Sequence, residues 1–340
     1  MVRPSPSKPF HWFSVLSPMI KVNNLSQYRL IGDLPADQLI SDLVEANGID
    51  YIRTLFPFFS DYKNLNFDKL DPLIRNFLRD QSDLPTHFDK KEMIRATDYY
   101  RKNQENIGLV LGLYSLPYCY LGADGARVLA FSSRLNNDAL KRLIETGNFL
   151  KAVLNYDNWE EGRIFAICLK VRLLHAAIRY FILKSGQWDM DWGHPINQED
   201  LAGTNIAFSL IVLRGMEKLG MEADETSKRA YLHLWNVIGS LLGVEEKLLP
   251  DNYLSSVKLD KAISAHQFKQ SPQGAELAAS LMAAFRMVAP NDTIANLLQE
   301  QSRFLLGINY ADMLKIKKTT IPPSMLTIYN TTSALMAKIF

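Results

Sequence analysis

Apolar residues recur at helical spacing along most of the chain, with charged residues between them. A first amphipathic helix is predicted to begin at Pro35, and a cap at Thr226 predicts a helix ending near Leu242, before Gly243. Asn137 and Asn197 are predicted N-caps, because Asn side chains accept from free amides at helix starts. Further helices are predicted over residues 68–79, 90–104, 138–154, 160–184, 198–218, 272–288 and 293–306.

No segment shows the alternation and turn residues of a β-hairpin, and no internal repeat or low-complexity tract is present. The helical segments are joined by short linkers. We therefore predict a single large all-α domain over residues 35–306. Residues 1–34 are expected to form an irregular N-terminal arm, and residues 307–340 a hydrophobic tail packed on or near the domain.

The amino-acid composition argues against several classes of function. The chain has 340 residues, of which 47% are hydrophobic, so it can bury a core. Lys and Arg number 38 against 36 Asp and Glu, which gives a net charge of +2 and no cationic excess for nucleic acid. Cys119 and Cys168 are too few for a disulfide framework or a multi-thiolate zinc site. No targeting signal is apparent, and a cytoplasmic location is expected.

One uncharged stretch, residues 106–123, is long enough to raise the question of a membrane span. It contains Pro117 and three glycines, two of which form the Gly108-x-x-x-Gly112 spacing found at helix contacts in membranes. A buried helix with a small-residue face is the favoured interpretation, and no transmembrane span is expected. Peripheral membrane contact stays open.

The predicted long helix over residues 160–184 carries the informative side chains. It is apolar nearly all round, as a buried helix is, yet it contains Arg172, His175 and Arg179. At about 100° per residue these three lie within roughly 60° of one another. An arginine cannot lose its proton, and an unpaired buried charge costs several kcal/mol, so an anion is expected opposite the guanidiniums.

Two identities for that anion compete. Asp or Glu side chains of neighbouring helices can pair with the arginines, with His175 as a hydrogen-bonded core residue; spacing alone favours this alternative. Otherwise a cofactor supplies the carboxylates. Haem fits that second description, because an imidazole holds its iron, its two propionates need cations, and its ring needs an apolar slot.

Several blocks of sequence then point to one family. Arg172-Leu-Leu-His175-Ala-Ala-Ile-Arg179 resembles the Arg-x-x-His-x-x-x-Arg signature of the rubber oxygenases (latex clearing protein) and the related MpaB-type oxygenases. His194-Pro-Ile-Asn-Gln-Glu-Asp-Leu-Ala-Gly-Thr204-Asn-Ile-Ala-Phe-Ser209 is similar to a second block of that family. Arg142-Leu-Ile-Glu145-Thr146 and Trp235-Asn-Val-Ile-Gly-Ser-Leu-Leu-Gly243 resemble two more. The resemblance covers residues 40–250 in the expected order.

This resemblance implies a globin-like helical core that holds one haem b, with His175 as the iron ligand. Arg172 and Arg179 would orient the propionates or brace the ligand helix. Arg142 and Thr146 would line the opposite, distal side as candidate catalytic residues. Glu145 stands where the rubber-cleaving relatives have a lysine, and a carboxylate cannot coordinate as an amine does. It also disfavours negative charge beside a reacting oxygen.

The leading hypothesis is a haem b-dependent oxygenase acting on an apolar, possibly unsaturated substrate (isoprenoid, lipid-like or polymeric) with dioxygen. A non-enzymatic haem protein and a haem-free helical binding protein are the alternatives. Three further residues are weaker candidates. His233 is a distant second choice for an iron ligand. Asp200 and Thr204 are candidates for supporting the residues proposed to bind the cofactor. The apolar stretch over residues 107–120 is expected to line a pocket for a hydrophobic substrate.

Overall fold

The computed structural model describes residues 25–135, 139–321 and 332–333. Residues 1–24 of the predicted arm, the predicted cap Asn137, and residues 322–331 and 334–340 of the predicted tail lie outside that part of the chain. Within it the protein is helical, and its only β-pairing is a single bridge between Gly122 and Phe268. The prediction of a single all-α domain is confirmed.

The described residues of the first half of the chain form ten α-helices, with a π-helical turn at Leu111–Ser115 between the fifth and sixth. They are α1 (Leu25–Tyr28), α2 (Leu34–Asn47), α3 (Ile49–Ser60), α4 (Pro72–Asp80), α5 (Lys90–Val110), α6 (Leu116–Tyr120), α7 (Ala123–Leu135), α8 (Ala139–Val153), α9 (Asp157–Glu160) and α10 (Arg163–Lys184).

Seven more α-helices follow within the described part of the second half, with short 3₁₀ turns at Met190–Trp192 and Glu246–Leu248. They are α11 (Gln198–Phe208), α12 (Leu210–Lys218), α13 (Glu225–Leu241), α14 (Tyr253–Gln267), α15 (Pro272–Val288), α16 (Asp292–Leu306) and α17 (Ile308–Met313).

Helix α10 lies between two apolar clusters. One face, with Leu169, Leu173 and Ala177, packs on the cluster formed with α2, α3 and α4. The other face, with Ile164, Ile167 and Cys168, joins the larger cluster of the remaining helices. Burial on both sides explains why its sequence is apolar nearly all round, as expected for a central helix.

Several helix boundaries are set by side-chain hydrogen bonds to the backbone, which the hydrophobic periodicity does not reveal. The predicted helix over residues 198–218 is two helices, because the Ser209 hydroxyl donates to the Asn205 carbonyl at 2.7 Å and the backbone leaves the helical region there. The predicted cap Thr226 is wrong, since the Asp224 carboxylate accepts from the Ser227 amide at 2.9 Å. Helices α3, α7 and α14 were not predicted.

The uncharged stretch over residues 106–123 is buried in the larger cluster, as the favoured interpretation required. It forms the end of α5, the π-helical turn and α6. Ser302 donates to the Leu113 carbonyl at 2.8 Å, so one carbonyl of the widened turn has a side-chain partner. None of the helices in the described residues combines the length and apolar character that a bilayer crossing requires.

Candidate functional site

Arg172 is held by residues of this chain through all three guanidinium nitrogens. Its Nε and Nη2 donate to the two oxygens of Asp33 at 2.7 and 2.8 Å, a bidentate ion pair. Its Nη1 donates to Gln81 Oε1 at 2.8 Å. The Asp33 and Arg172 side chains are only 4% and 8% exposed. The pair therefore fixes the start of α2 to the middle of α10 in a dry setting.

Arg179, two turns further along α10, is held less completely. Its Nε donates to Asp37 Oδ1 at 2.6 Å and its Nη1 to the Ile196 carbonyl at 3.2 Å. Its Nη2 is buried and has no hydrogen-bond partner among the described residues. Desolvation raises the pKa of Asp37, against the opposing effect of Arg179. One donor of a buried cation is thus left available for an acceptor.

The anion expected opposite the arginines is therefore supplied first by the chain itself. Asp33 and Asp37 are the partners, whereas Asp200, a candidate for supporting these residues, pairs with Arg29. Arg172 has no nitrogen left without a partner, whereas Arg179 has one. The structure separates two residues that the sequence pattern treated alike.

His175 lies between these two arginines along α10 and is half-buried. Desolvation first, and then the neighbouring Arg179, lower the pKa of His175 to about 4, while Asp33 opposes the shift. The imidazole is consequently neutral near pH 7 and keeps a lone pair, the form in which histidine binds metals. Among the described residues no group hydrogen-bonds its ring.

Other candidate ligands are less available. His233 Nε2 accepts from the Asp89 amide at 3.1 Å, so its lone pair is used at the start of α5. Burial raises the pKa of Cys168 to about 12, which leaves a thiol rather than a thiolate. Among the described residues no cluster of three His, Cys, Asp or Glu side chains has the spacing for a metal ion.

Helix α8 carries Arg142, Glu145 and Thr146 and packs against α10. Residues 154–162 reverse the chain between the two helices. The Thr146 hydroxyl donates to the Arg142 carbonyl at 2.9 Å.

A narrow crevice lies beside α10, and it has no room for a water molecule. It is lined by Gln81, Phe165, Cys168, Leu169, Arg172 and Leu241.

Residues 194–209, the second block of the family resemblance, connect several separate segments of the structure. The Gln198 amide donates to the carbonyls of Gly32 and Gly243, both at 2.9 Å, and its oxygen accepts from the Glu245 amide at 2.8 Å. These contacts tie α11 to the segments on both sides of the Asp33–Arg172 pair. The predicted cap Asn197 is confirmed, since its side chain accepts from the Asp200 amide at 3.0 Å.

Within the same block the acidic residues surround Arg29. Arg29 Nη1 donates to Asp200 Oδ1 at 3.1 Å and lies 3.5 Å from Glu199 Oε2. Glu199 is fully buried and also contacts His266 Nδ1 at 2.8 Å. Desolvation raises the pKa of Asp200 to about 6 despite Arg29. Thr204 donates to the Asp200 carbonyl at 2.8 Å, within its own helix.

One residue in the approach to α11 has an unusual backbone conformation. Ile196 has φ of 51°, a left-handed conformation that is strained for a β-branched residue. Its carbonyl accepts from Arg179. The strain therefore lies next to the incompletely satisfied guanidinium.

Four residues of this region were not predicted from the sequence: Asp33, Asp37, Gln81 and Arg29. Asp33 and Asp37 lie at the cap and in the first turn of α2, where acidic residues are expected for local reasons. Their partners are more than a hundred residues away. No local pattern distinguishes an acid that caps a helix from one that also pairs with a distant arginine.

Fold and site together define an all-α protein in which a braced, buried helix presents one neutral imidazole. The family profile described as "ER-bound oxygenase mpaB/B'/Rubber oxygenase, catalytic domain" matches residues 108–335. The rubber oxygenase of Streptomyces sp. (strain K30) is 22% identical over 298 residues, which cover 86% of this chain and 72% of the relative.

A solved structure of latex clearing protein in the closed state has the same fold. It matches with a TM-score of 0.73 and 20% identity, over 92% of this chain and 85% of that one. The chain belongs to the mpaB/rubber oxygenase catalytic-domain family. The family resemblance seen in the sequence is confirmed.

A substitution at Gly243 tests how closely the chain packs around the Asp33–Arg172 ion pair. Its φ is 81°, and a Cβ there would lie 2.7 Å from Asp33 Oδ2 and 3.1 Å from Arg172 Nε. We expect Gly243→Ala to lower the free energy of unfolding by about 3 kcal/mol, measured by urea denaturation, because it adds displacement of a buried pair to backbone strain.

Gly220→Ala is the matched control for this substitution. Gly220 ends α12 with φ of 75° and has no atom within 4 Å of the added Cβ. Backbone strain alone is expected to cost about 1 kcal/mol there. Equal losses in the two variants would contradict the proposed enclosure.

The low pKa of His175 predicts a pH dependence. Between the ordinary value of 6.5 and about 4, the unfolded chain binds a proton that the folded protein does not, so stability falls as pH falls through this window. We expect His175→Gln to lose less unfolding free energy than the unmodified protein from about pH 7 to about pH 5. Identical losses in urea titrations would show that the imidazole is not held neutral.

Proposed function

We propose that this protein is a haem b-dependent oxygenase that acts on an apolar, unsaturated substrate of isoprenoid or lipid-like type. The observation that carries the proposal is the neutral, unbonded imidazole of His175 on a buried helix, in a chain of an oxygenase family. The rubber oxygenase relative is named for a polymeric hydrocarbon substrate, which supports an apolar substrate here.

The residues present fit a haem in two respects. The neutral His175 ring carries a lone pair, and Arg179 Nη2 is a buried donor with no partner among the described residues, suited to a propionate. Arg172 does not fit as a propionate ligand, because Asp33 and Gln81 already occupy it. Its role in the proposal is to brace the helix that presents His175. A bound haem would supply the one-electron and dioxygen chemistry that side chains lack.

The residues of α8 would form the opposite side of the site. Arg142 would provide a fixed positive charge and Thr146 would hold the local helix through its bond to the Arg142 carbonyl. Glu145 contributes an acidic group where rubber-cleaving relatives have a lysine. We therefore propose that this chain has the haem pocket of the family, without proposing that it cleaves rubber itself.

One observation favours the alternative of a haem-free helical binding protein. Asp33 and Asp37 neutralise both arginines without any cofactor. That alternative predicts no chromophore in the purified protein. A non-enzymatic haem protein is the second alternative, and it predicts the chromophore without turnover.

Replacement of the proposed ligand tests haem binding. We expect the protein, produced with adequate haem, to show a Soret band, and His175→Ala to lose most of it because the proposed iron ligand is removed. His233→Ala is the matched control and should retain the band, since His233 bonds the Asp89 amide. A missing Soret band in the unmodified protein would refute haem binding, and a full band in His175→Ala would refute only the ligand assignment.

Labelled dioxygen tests the enzymatic part of the proposal. We expect incubation of the haem-loaded protein with a polyisoprenoid or unsaturated lipid under ¹⁸O₂ to give products that carry the label, detected by mass spectrometry. Arg142→Ala should lower the turnover at least tenfold if its charge stabilises the reaction, because removing one such donor typically costs a hundredfold or more. Haem binding without labelled product from either substrate class would favour the non-enzymatic alternative.

A further inference from the structure

A groove of about 540 Å³ lies between α5 and the start of α13. One wall is the segment 221–224 with the first turn of α13, and the other is a face of α5 with Arg95, Tyr99, Lys102 and Asn103. Its volume is within the range of about 300–1,000 Å³ that small-molecule sites occupy. The 17 residues of α13 span about 25 Å, so the groove lies that far along this helix from Gly243. It is therefore separate from the candidate site on α10.

The α5 wall presents cationic hydrogen-bond donors. Arg95, Tyr99 and Lys102 follow one another at spacings of four and three residues, so they lie on one face of the helix. Arg95 donates to Glu92 through Nη1 at 2.7 Å, and its Nε and Nη2 have no acceptor among the described residues. The Lys102 ammonium has no ion-pair partner in that part of the chain either. This wall can therefore receive a negatively charged group.

Tyr99 adds a buried donor between these two cations. It lines the groove but is only 9% exposed, and its ring packs edge-on against Tyr231 at 5.8 Å. Its hydroxyl is buried and has no hydrogen-bond partner within the residues that the structure describes. Desolvation, followed by the nearby Asp224, raises the pKa of Tyr99 to about 12, so the hydroxyl keeps its proton. A buried donor without an acceptor costs folding free energy, and an acceptor in the groove would remove that cost.

The opposite wall carries acidic residues whose carboxylates are already engaged. Glu222 Oε1 accepts from Lys228 Nζ at 2.7 Å. Asp224 is the N-cap of α13, and its two oxygens accept from the amide and the hydroxyl of Ser227, both at 2.9 Å. The groups left open in the groove are therefore mainly donors. Such a set suits an anionic ligand better than a cationic one.

We propose that this groove binds a small organic anion, a carboxylate or a phosphate monoester. An oxygen of the ligand accepts from the Tyr99 hydroxyl, and its charge pairs with Arg95 and Lys102. The side chains of Met221 and Ala223, which also line the groove, contact the carbon part of the ligand. This inference goes beyond the proposed function and does not depend on it, because no residue of α8 or α10 takes part.

Isothermal titration calorimetry of the full chain at low salt tests this site, with benzoate, phenyl phosphate and inorganic phosphate as probes and benzyl alcohol as the uncharged comparison. We expect saturable binding of at least one of the two organic anions and none of benzyl alcohol. Tyr99→Phe should weaken that binding about tenfold, because it removes one hydrogen bond to a charged group. Lys102→Gln should weaken it about threefold, since an exposed charge contributes less.

Tyr100→Phe and Lys91→Gln are the matched controls, because both residues lie on α5 and neither lines the groove. They should leave the affinity unchanged. The unfolding free energy of Tyr99→Phe without ligand, measured in urea, should not fall below that of the unmodified protein, since the hydroxyl it removes has no partner. That result would separate lost binding from misfolding.

The relative affinities of benzoate and phenyl phosphate distinguish a carboxylate ligand from a phosphate monoester. Absence of saturable binding of both organic anions would overturn the inference, and so would an affinity that Tyr99→Phe leaves unchanged. Binding of inorganic phosphate alone would also contradict it, because it would show only an adventitious ion. The haem spectrum has no bearing on these outcomes, so a failure of the proposed function would leave this site to stand or fall by the titrations.

Discussion

The bidentate pair between Arg172 and Asp33 is the interaction on which the region around α10 depends. Removing one partner of a buried pair costs about 3–5 kcal/mol, because the remaining charge stays desolvated. Asp33 meets the guanidinium with both oxygens and also caps α2, so one carboxylate serves two purposes. Gln198 joins the carbonyls of Gly32 and Gly243 across this pair, and the start of α2, the middle of α10, the start of α11 and the end of α13 are held together there.

This arrangement has a consequence for the imidazole next to it. Two guanidiniums flank His175, and only Asp33 acts in the opposite direction on its protonation. Since Asp33 is already engaged by Arg172, the net effect of burial and Arg179 is to exclude the proton. Arg179 therefore acts on His175 as a neighbouring charge. Their pairing with acids does not exclude a cofactor site, because it leaves the imidazole neutral and unbonded.

Helical periodicity was sufficient to predict α2, α8, α10, α15 and α16 to within a few residues, because each depends on local apolar spacing and end signals. It was not sufficient where one side chain redirects the backbone, as Ser209 does between α11 and α12. The grouping of Arg172, His175 and Arg179 followed from spacing on one helix. Their partners did not, because Asp33, Asp37 and Gln81 meet them only through the packing of α2 and α4 against α10, which no local pattern encodes.

The guanidinium groups of Arg172 and Arg179 are hydrogen-bonded to different extents, and this difference distinguishes a bracing role from a ligand-binding role. Arg172 is enclosed by Asp33, Gln81 and the close approach of Gly243, a setting with no open donor. Arg179 bonds Asp37 and the Ile196 carbonyl, and its Nη2 is a buried donor that no residue in the described part of the chain accepts from. Leaving a buried cationic N–H without an acceptor costs folding free energy. If Arg179 had only a bracing role, an acceptor for this N–H would stabilise the protein, as the acceptors of Arg172 do. The open donor lies on the helix that presents a neutral imidazole, and this combination is what a carboxylate-bearing, iron-containing cofactor requires.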